Sequence, residues 1–132
     1  MSDLDAQAAF APLEPAPIPE HMVVLLLDAG QRFLAEAGKA IGCQDQVCRD
    51  RCTRKVLTIL EELHHRLDHD QGGELVANLA RLYEWWGWEL VTASAQNDAP
   101  RLKQVSIQMG DIRKSWEHIL FQGEGLTGNP DF

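Results

Sequence analysis

Three groups of residues in this chain of 132 have types and spacings from which chemistry is made. Cys48 and Cys52 stand one helical turn apart, as a metal clip or a redox pair would. Both also fall on an apolar stripe continued by Val56 and Ile59, where a free cysteine behaves as a small buried hydrophobe, so core packing is the expectation. His65 and His69 have the i, i+4 spacing used for zinc, with Glu61 and Glu62 nearby. The order ELHHRLDHD lacks the H-E-x-x-H arrangement, however, and His69 falls where the helix frays, which predicts a solvated polar end. Cys48 and His65 are 17 residues apart, about 25 Å along a helix, so the two groups cannot share a site within one chain. GEGLTG at 123–128 matches G-x-G-x-x-G in letters alone, because only four residues follow it and no strand precedes it. The serines have no strand to carry a nucleophile elbow. No catalytic residue, no metal ligand and no cofactor is predicted, and the chain does not read as an enzyme.

The elements that position these residues are helical. Pro19 suits a first turn, and Met22, Leu26, Ala29, Phe33, Ala37 and Ala40 follow at steps of three or four until Gly42. A second helix, roughly 46–68, places Cys48, Cys52, Val56, Ile59, Leu63 and Leu67 on one stripe. After the Gly72-Gly73 break a third carries Leu75, Leu79, Leu82, Trp86, Leu90 and Ala93, with Glu74 at its positive end. The fourth is the most regular. Asp98 is its N-cap, Pro100 lies in its first turn, and Leu102, Val105, Met109, Ile112, Trp116 and Ile119 form its stripe. No alternating pattern competes, and the links are short, which predicts an all-α, antiparallel, up-down-up-down four-helix bundle. Residues 1–17, with prolines at 12, 15 and 17, read as a flexible N-terminal arm; 18–122 as the bundle; 123–132, rich in glycine, as a disordered C-terminal tail.

Composition narrows the partners. Twelve basic against 20 acidic residues give a net charge of −8, and no Lys/Arg cluster stands out, which argues against nucleic acid and anionic membrane. The longest apolar run, Met22 to Leu27, has six residues, against about 20 for a membrane span. The first twenty residues carry acids where a secretory signal carries lysine or arginine, so a soluble protein of the cytoplasm is expected. Three cysteines crowded between 43 and 52 suit reduced thiols rather than a disulfide framework.

What remains is more apolar surface than one bundle face can hold. At about 100° per residue, Val24, Leu25, Leu57, Trp85, Trp88 and Ile107 fall about 100° or more from the middle of their own stripes. Tyr83, Trp85, Trp86 and Trp88 crowd six positions of the third helix, and at most two of them can point inward. Val24, Leu25, Leu57, Tyr83, Trp85, Trp88 and Ile107 are therefore predicted to form a partner surface, one suited to a helix laid in a groove. Covering of the tryptophans by the N-terminal arm or by a second copy of the chain, a homodimeric helical scaffold, is the alternative. Asn78 is expected as a buried polar residue bonded across helices.

The segment LDHDQGGELVANLARLYEWW, residues 67–86, followed by Asn97-Asp98 and by Trp116, resembles the FliS-type flagellin export chaperones. That family's signature runs Leu-Asp, a few polar residues, Gly-Gly-Glu, an aliphatic pair, Asn-Leu and then Leu-Tyr-Asp-Tyr. Asp68, Gly72, Gly73, Glu74, Asn78, Leu79, Leu82 and Tyr83 stand in those places, and Pro19 with LLLDAG at 25–30 fits the family's opening. The resemblance spans about residues 18–120. It implies a cytoplasmic bundle that binds the disordered C-terminal segment of flagellin and lets it fold into helices against grooves. It also implies prevention of premature polymerisation and delivery to the flagellar type III export gate. A chaperone for a different client is the runner-up. Departures are concentrated in the third helix, where Tyr83-Glu84-Trp85-Trp86 replaces Tyr-Asp-Tyr-Met and Trp88 takes a basic position. No tyrosine precedes Tyr83, and Phe10 is the nearest substitute in the arm.

Overall fold

A computed structural model describes residues 19–70 and 72–128, with side chains placed for 21–70 and 72–120. Four helices follow one another: α1 (Pro19–Gly42), α2 (Gln46–His65), α3 (Gly73–Ala95) and α4 (Ala99–Gly128). Each packs against the next, and α1 closes the ring against α4. Cross-helix pairs run in opposite directions along every seam: Phe33 with Lys55 and Glu36 with Cys52, Thr53 with Ser94 and His64 with Glu84, Trp86 with Gln108 and Glu89 with Arg101, and Asp28 with Arg113 and Gln31 with Ser106. The all-α antiparallel four-helix bundle is thus the observed fold.

The punctuation follows from local chemistry. Asp45 caps α2, its carboxylate accepting the Cys48 N–H at 3.0 Å, and Asp98 caps α4 by accepting the Arg101 N–H at 3.2 Å. Gln44 and Asn97, each just before a capping aspartate, take positive φ values of 58° and 53°. Between α2 and α3, Gly73 has φ of 58°, and a Cβ on Gly72 would overlap Val76 at 1.6 Å and meet the Asp68 carbonyl at 2.8 Å. The glycine pair is thus a steric requirement of this turn. α2 ends at His65 rather than near 68. α4 stays helical to Gly128, past the expected boundary at Gln122, because isolated glycines weaken a helix without removing a hydrogen-bond donor, and the next proline is Pro130. The N-terminal arm, and the tail beyond Gly128, lie outside the described residues.

The core is built of Leu27, Leu34, Ala37, Cys52, Val56, Leu63, Leu79, Tyr83, Trp86, Leu90, Ala93, Leu102, Val105 and Met109. On α2 the predicted stripe holds. On α1 the buried row is Val23, Leu27, Gly30, Leu34 and Ala37, one residue on from the predicted one over most of its length. Met22, Leu26, Ala29 and Phe33 are not fully buried. The cause is Gly30. A Cβ there would lie 2.6 Å from Met109 Cε, so the glycine admits the methionine and draws α4 close. A periodicity count of apolar side chains cannot see a glycine as an inward position.

The seam with α3 is of another kind. Fully buried Trp86 fills it and donates its indole N–H to Gln108 Oε1 at 2.8 Å, and Tyr83 packs against Trp86 with ring centroids 5.7 Å apart. Arg101 grips Glu89 through two nitrogens, at 2.6 and 3.3 Å. Thr53 and Ser94, both buried, share a hydrogen bond of 3.1 Å between α2 and α3. Leu75 and Ile119, expected on inward stripes, are exposed. They sit at the end of the bundle nearest the α2–α3 turn, where burial runs out.

Candidate functional site

An apolar groove runs along the outside of the α2–α3 seam. Leu57 of α2 forms one wall, Trp88 and Val91 of α3 form the other, and Gly87 lies between them, enclosing an open cleft of about 490 Å³. It continues toward the α2–α3 turn as a second depression of about 290 Å³ bordered by Leu60, Glu61, His64, Tyr83 and Glu84. Gly87 keeps the groove open. A Cβ there would come within 3.8 Å of Leu57 Cδ2, an ordinary contact that would fill the space rather than clash. The rim carries acids, Glu61 and Glu84, with His64 Nε2 3.8 Å from Glu84 Oε1. A separate cleft of about 420 Å³ on the α1–α4 seam, over Leu34, Ala35, Gly38, Ala99 and Ser106, is edged instead by Lys39 and Lys103.

Three of the predicted partner residues line the groove, Leu57 and Trp88 in its main cleft and Tyr83 in its continuation. Trp88 is 76% exposed. Trp85 is 47% exposed and lines neither depression; it stands one turn from Glu89, which is paired to Arg101 of α4. Trp85 and Trp88, three positions apart, are neighbours on α3, and of the two only Trp88 lines the groove. Leu25 on α1 and Ile107 on α4 are exposed away from the groove, and Val24 is half-buried. Tyr83 borders the second depression from beneath. It is 3% exposed, because α3 buries positions 79, 83, 86 and 90 as one row, and burial pushes its phenol up to about 12. Asn78 is a correction. It is exposed and accepts a hydrogen bond from Arg81 on its own helix, rather than bridging helices. Gly87, Val91 and Glu84 were missed, although a glycine between two tryptophans in a helix interior was a visible sign of space being kept.

The groups with chemical potential are placed as follows. Helix α2 stops at His65, so His69 lies beyond it and stacks on His64 at 5.6 Å instead of pairing with His65. Cys52 is buried as expected, Cys48 is half-buried, and their sulfurs are 4.0 Å apart. Burial first, then the hydrogen bond with Cys48, pushes the Cys52 thiol up to about 11. Among the described residues no cluster of three or more His, Cys, Asp or Glu side chains is arranged to hold a metal ion, and no helix is long and apolar enough to cross a membrane.

Comparison with known proteins gives the surface a context. The family model described as flagellar protein FliS matches residues 16–123. Flagellar secretion chaperone FliSB of Pseudomonas aeruginosa is 33% identical over 101 residues, covering 76% of this chain and 80% of that protein. Flagellar secretion chaperone FliS of Salmonella typhimurium is 28% identical over 102 residues, 76% of each chain. The Vibrio cholerae protein of the same description is 28% identical over 108 residues, 81% of this chain and 79% of its own.

Proposed function

This chain belongs to the FliS family of flagellar proteins, and from that premise we propose that it is a secretion chaperone for the disordered C-terminal segment of flagellin. It holds that segment in the cytoplasm, prevents premature polymerisation and passes the subunit to the flagellar type III export gate. It performs no catalysis. The observation that carries this reading is the α2–α3 groove, where Trp88 stands out from the surface beside Leu57, Gly87 and Val91. An amphipathic segment laid there would fold as it binds, trading ordering entropy for apolar burial, so that binding stays reversible at the export gate. The remaining exposed residues, Leu25, Trp85 and Ile107, lie on three helices rather than in one patch, which suits an unstructured segment that wraps the bundle. Val24 stands beside Leu25 as a lesser contact. Tyr83 contributes from beneath, as part of the bed on which Leu57 and Gly87 sit.

Calorimetric titration with the C-terminal segment of flagellin at two temperatures tests the reading. Saturable one-to-one binding with a negative heat-capacity change is expected. Trp88→Ala should weaken it by about 30-fold, the loss of a roughly 2 kcal/mol hot spot, with the melting temperature nearly unchanged. Trp85→Ala should also lower affinity without loss of stability; equal loss of both would place Trp85 in the core. Absence of binding by calorimetry and by a second method would overturn flagellin as the client. A mass of two chains by light scattering would make a second copy the occupant of the groove.

A further inference from the structure

Cys48 and Cys52 take no part in the chaperone surface, yet they are arranged as a pair. They lie on successive turns of α2 with Sγ–Sγ of 4.0 Å. A disulfide needs sulfurs at about 2.05 Å and Cβ atoms about 3.5–4.5 Å apart, whereas residues one turn apart on a helix hold their Cβ atoms about 5–6 Å apart. Closing that bond would break the first turns of α2. A metal bridging the two is a better fit: with the zinc–thiolate length of about 2.3 Å as an upper bound, a linear S–metal–S unit spans at most about 4.6 Å. A small rotamer adjustment reaches it.

The surroundings narrow the ion. No cluster of three or more ligating side chains is available among the described residues, so an ion that demands four ligands, such as structural zinc, does not fit. Two soft sulfurs alone select a two-coordinate, thiophilic ion. An Arg51 guanidinium nitrogen lies 3.7 Å from Cys48 Sγ, and Cys48 stands in the first turn of α2, so positive potential faces a complex that carries net negative charge. Glu36 of α1 has Oε2 3.6 Å from Cys52 Sγ; it accepts the thiol's hydrogen bond and, being exposed, can pass that proton on to solvent. Cys48 is half-exposed and gives the ion a way in.

We propose that Cys48 and Cys52 form a dithiol clip for monovalent copper at the α1–α2 seam. Two thiols release two protons to solvent, that of Cys48 directly and that of Cys52 by way of Glu36, and one copper(I) ion takes both sulfurs, giving a bis-thiolate of charge −1 with no change of oxidation state. The second sulfur binds intramolecularly, an advantage of about 10²–10⁴ over a single thiol.

The test is anaerobic titration of the full chain with copper(I) against a chromogenic copper(I) chelator, in a Cys43→Ser background that removes the exposed third thiol. One ion per chain is expected, with X-ray absorption reporting two sulfur neighbours and a melting temperature raised by the ion. Cys48→Ser should lower affinity at least 100-fold while leaving helicity by circular dichroism unchanged; because Cys48 is half-exposed, this variant does not depend on rebuilding the core. Affinity unchanged in Cys48→Ser, or a copper shell lacking two sulfurs, would overturn the clip.

Discussion

At the scale of single residues, burial decides both what is held neutral and what is left for a partner. Tyr83 and Trp88 are five positions apart on one helix, yet one is core and the other stands in solvent. Their aromatic character is the same; the 100° step of the helix separates them. The buried thiol of Cys52 and phenol of Tyr83 are both kept protonated by desolvation, with values raised from 9.0 to about 11 and from 10.0 to about 12. Their stabilising effect is fully present below the unfolded values and is lost as pH rises through the folded ones. Denaturant unfolding is therefore expected to show stability falling from about pH 9 upward, first through Cys52 and then through Tyr83. Cys52→Ala should remove the earlier part of the fall, and a flat profile across that window would contradict the burial of both groups. The sequence made Cys52 legible as core because its stripe continues cleanly through Val56 and Ile59. Tyr83 is less legible, because four aromatics in six positions leave the direction of each undetermined until the neighbouring helices are placed.

At the scale of elements, all four helices and the positions of their turns were readable, since caps and breakers act locally: Asp98, Gly42 and the Gly72-Gly73 pair do what their chemistry dictates. The inward face of α1 was not readable, because it is fixed by a glycine meeting Met109 of another helix. Gly87 holds a comparable lesson for function. In an α3 that otherwise favours helix, a glycine costs up to about 1 kcal/mol relative to alanine, and the Cβ it lacks would meet only Leu57, at 3.8 Å. Gly87→Ala is thus expected to raise the melting temperature by a few degrees while weakening client binding, because the added methyl fills the floor between Leu57 and Trp88. Thermal melts and calorimetry on the one variant check both signs. A gain in both would show that the groove is not where the client lies.

At the scale of the whole molecule, the bundle is asymmetric. Helix α1 is drawn tightly to its neighbours by small residues, with Gly30 against Met109 and Gly110 against Gln31, whose amide reaches the Ser106 carbonyl at 2.9 Å. Helix α3 is held off by large ones, Trp86 and Tyr83, and tied at points by Gln108, Glu89–Arg101 and Thr53–Ser94. The seam propped by bulk carries the groove lined by Leu57, Trp88 and Val91, whereas the cleft on the close-packed α1–α4 seam is edged by Lys39 and Lys103. The architecture could be derived from periodicity and link length, but which seam carries an apolar groove depends on volumes summed across helices, which no single stretch of sequence displays. The most direct test of the groove as the client site is nuclear magnetic resonance of the four tryptophan indole N–H signals during titration with the flagellin C-terminal segment. Trp88 is predicted to shift most, with Trp86, buried and bonded to Gln108, nearly still. Saturable binding that moves other tryptophans and leaves Trp88 in place would contradict the account.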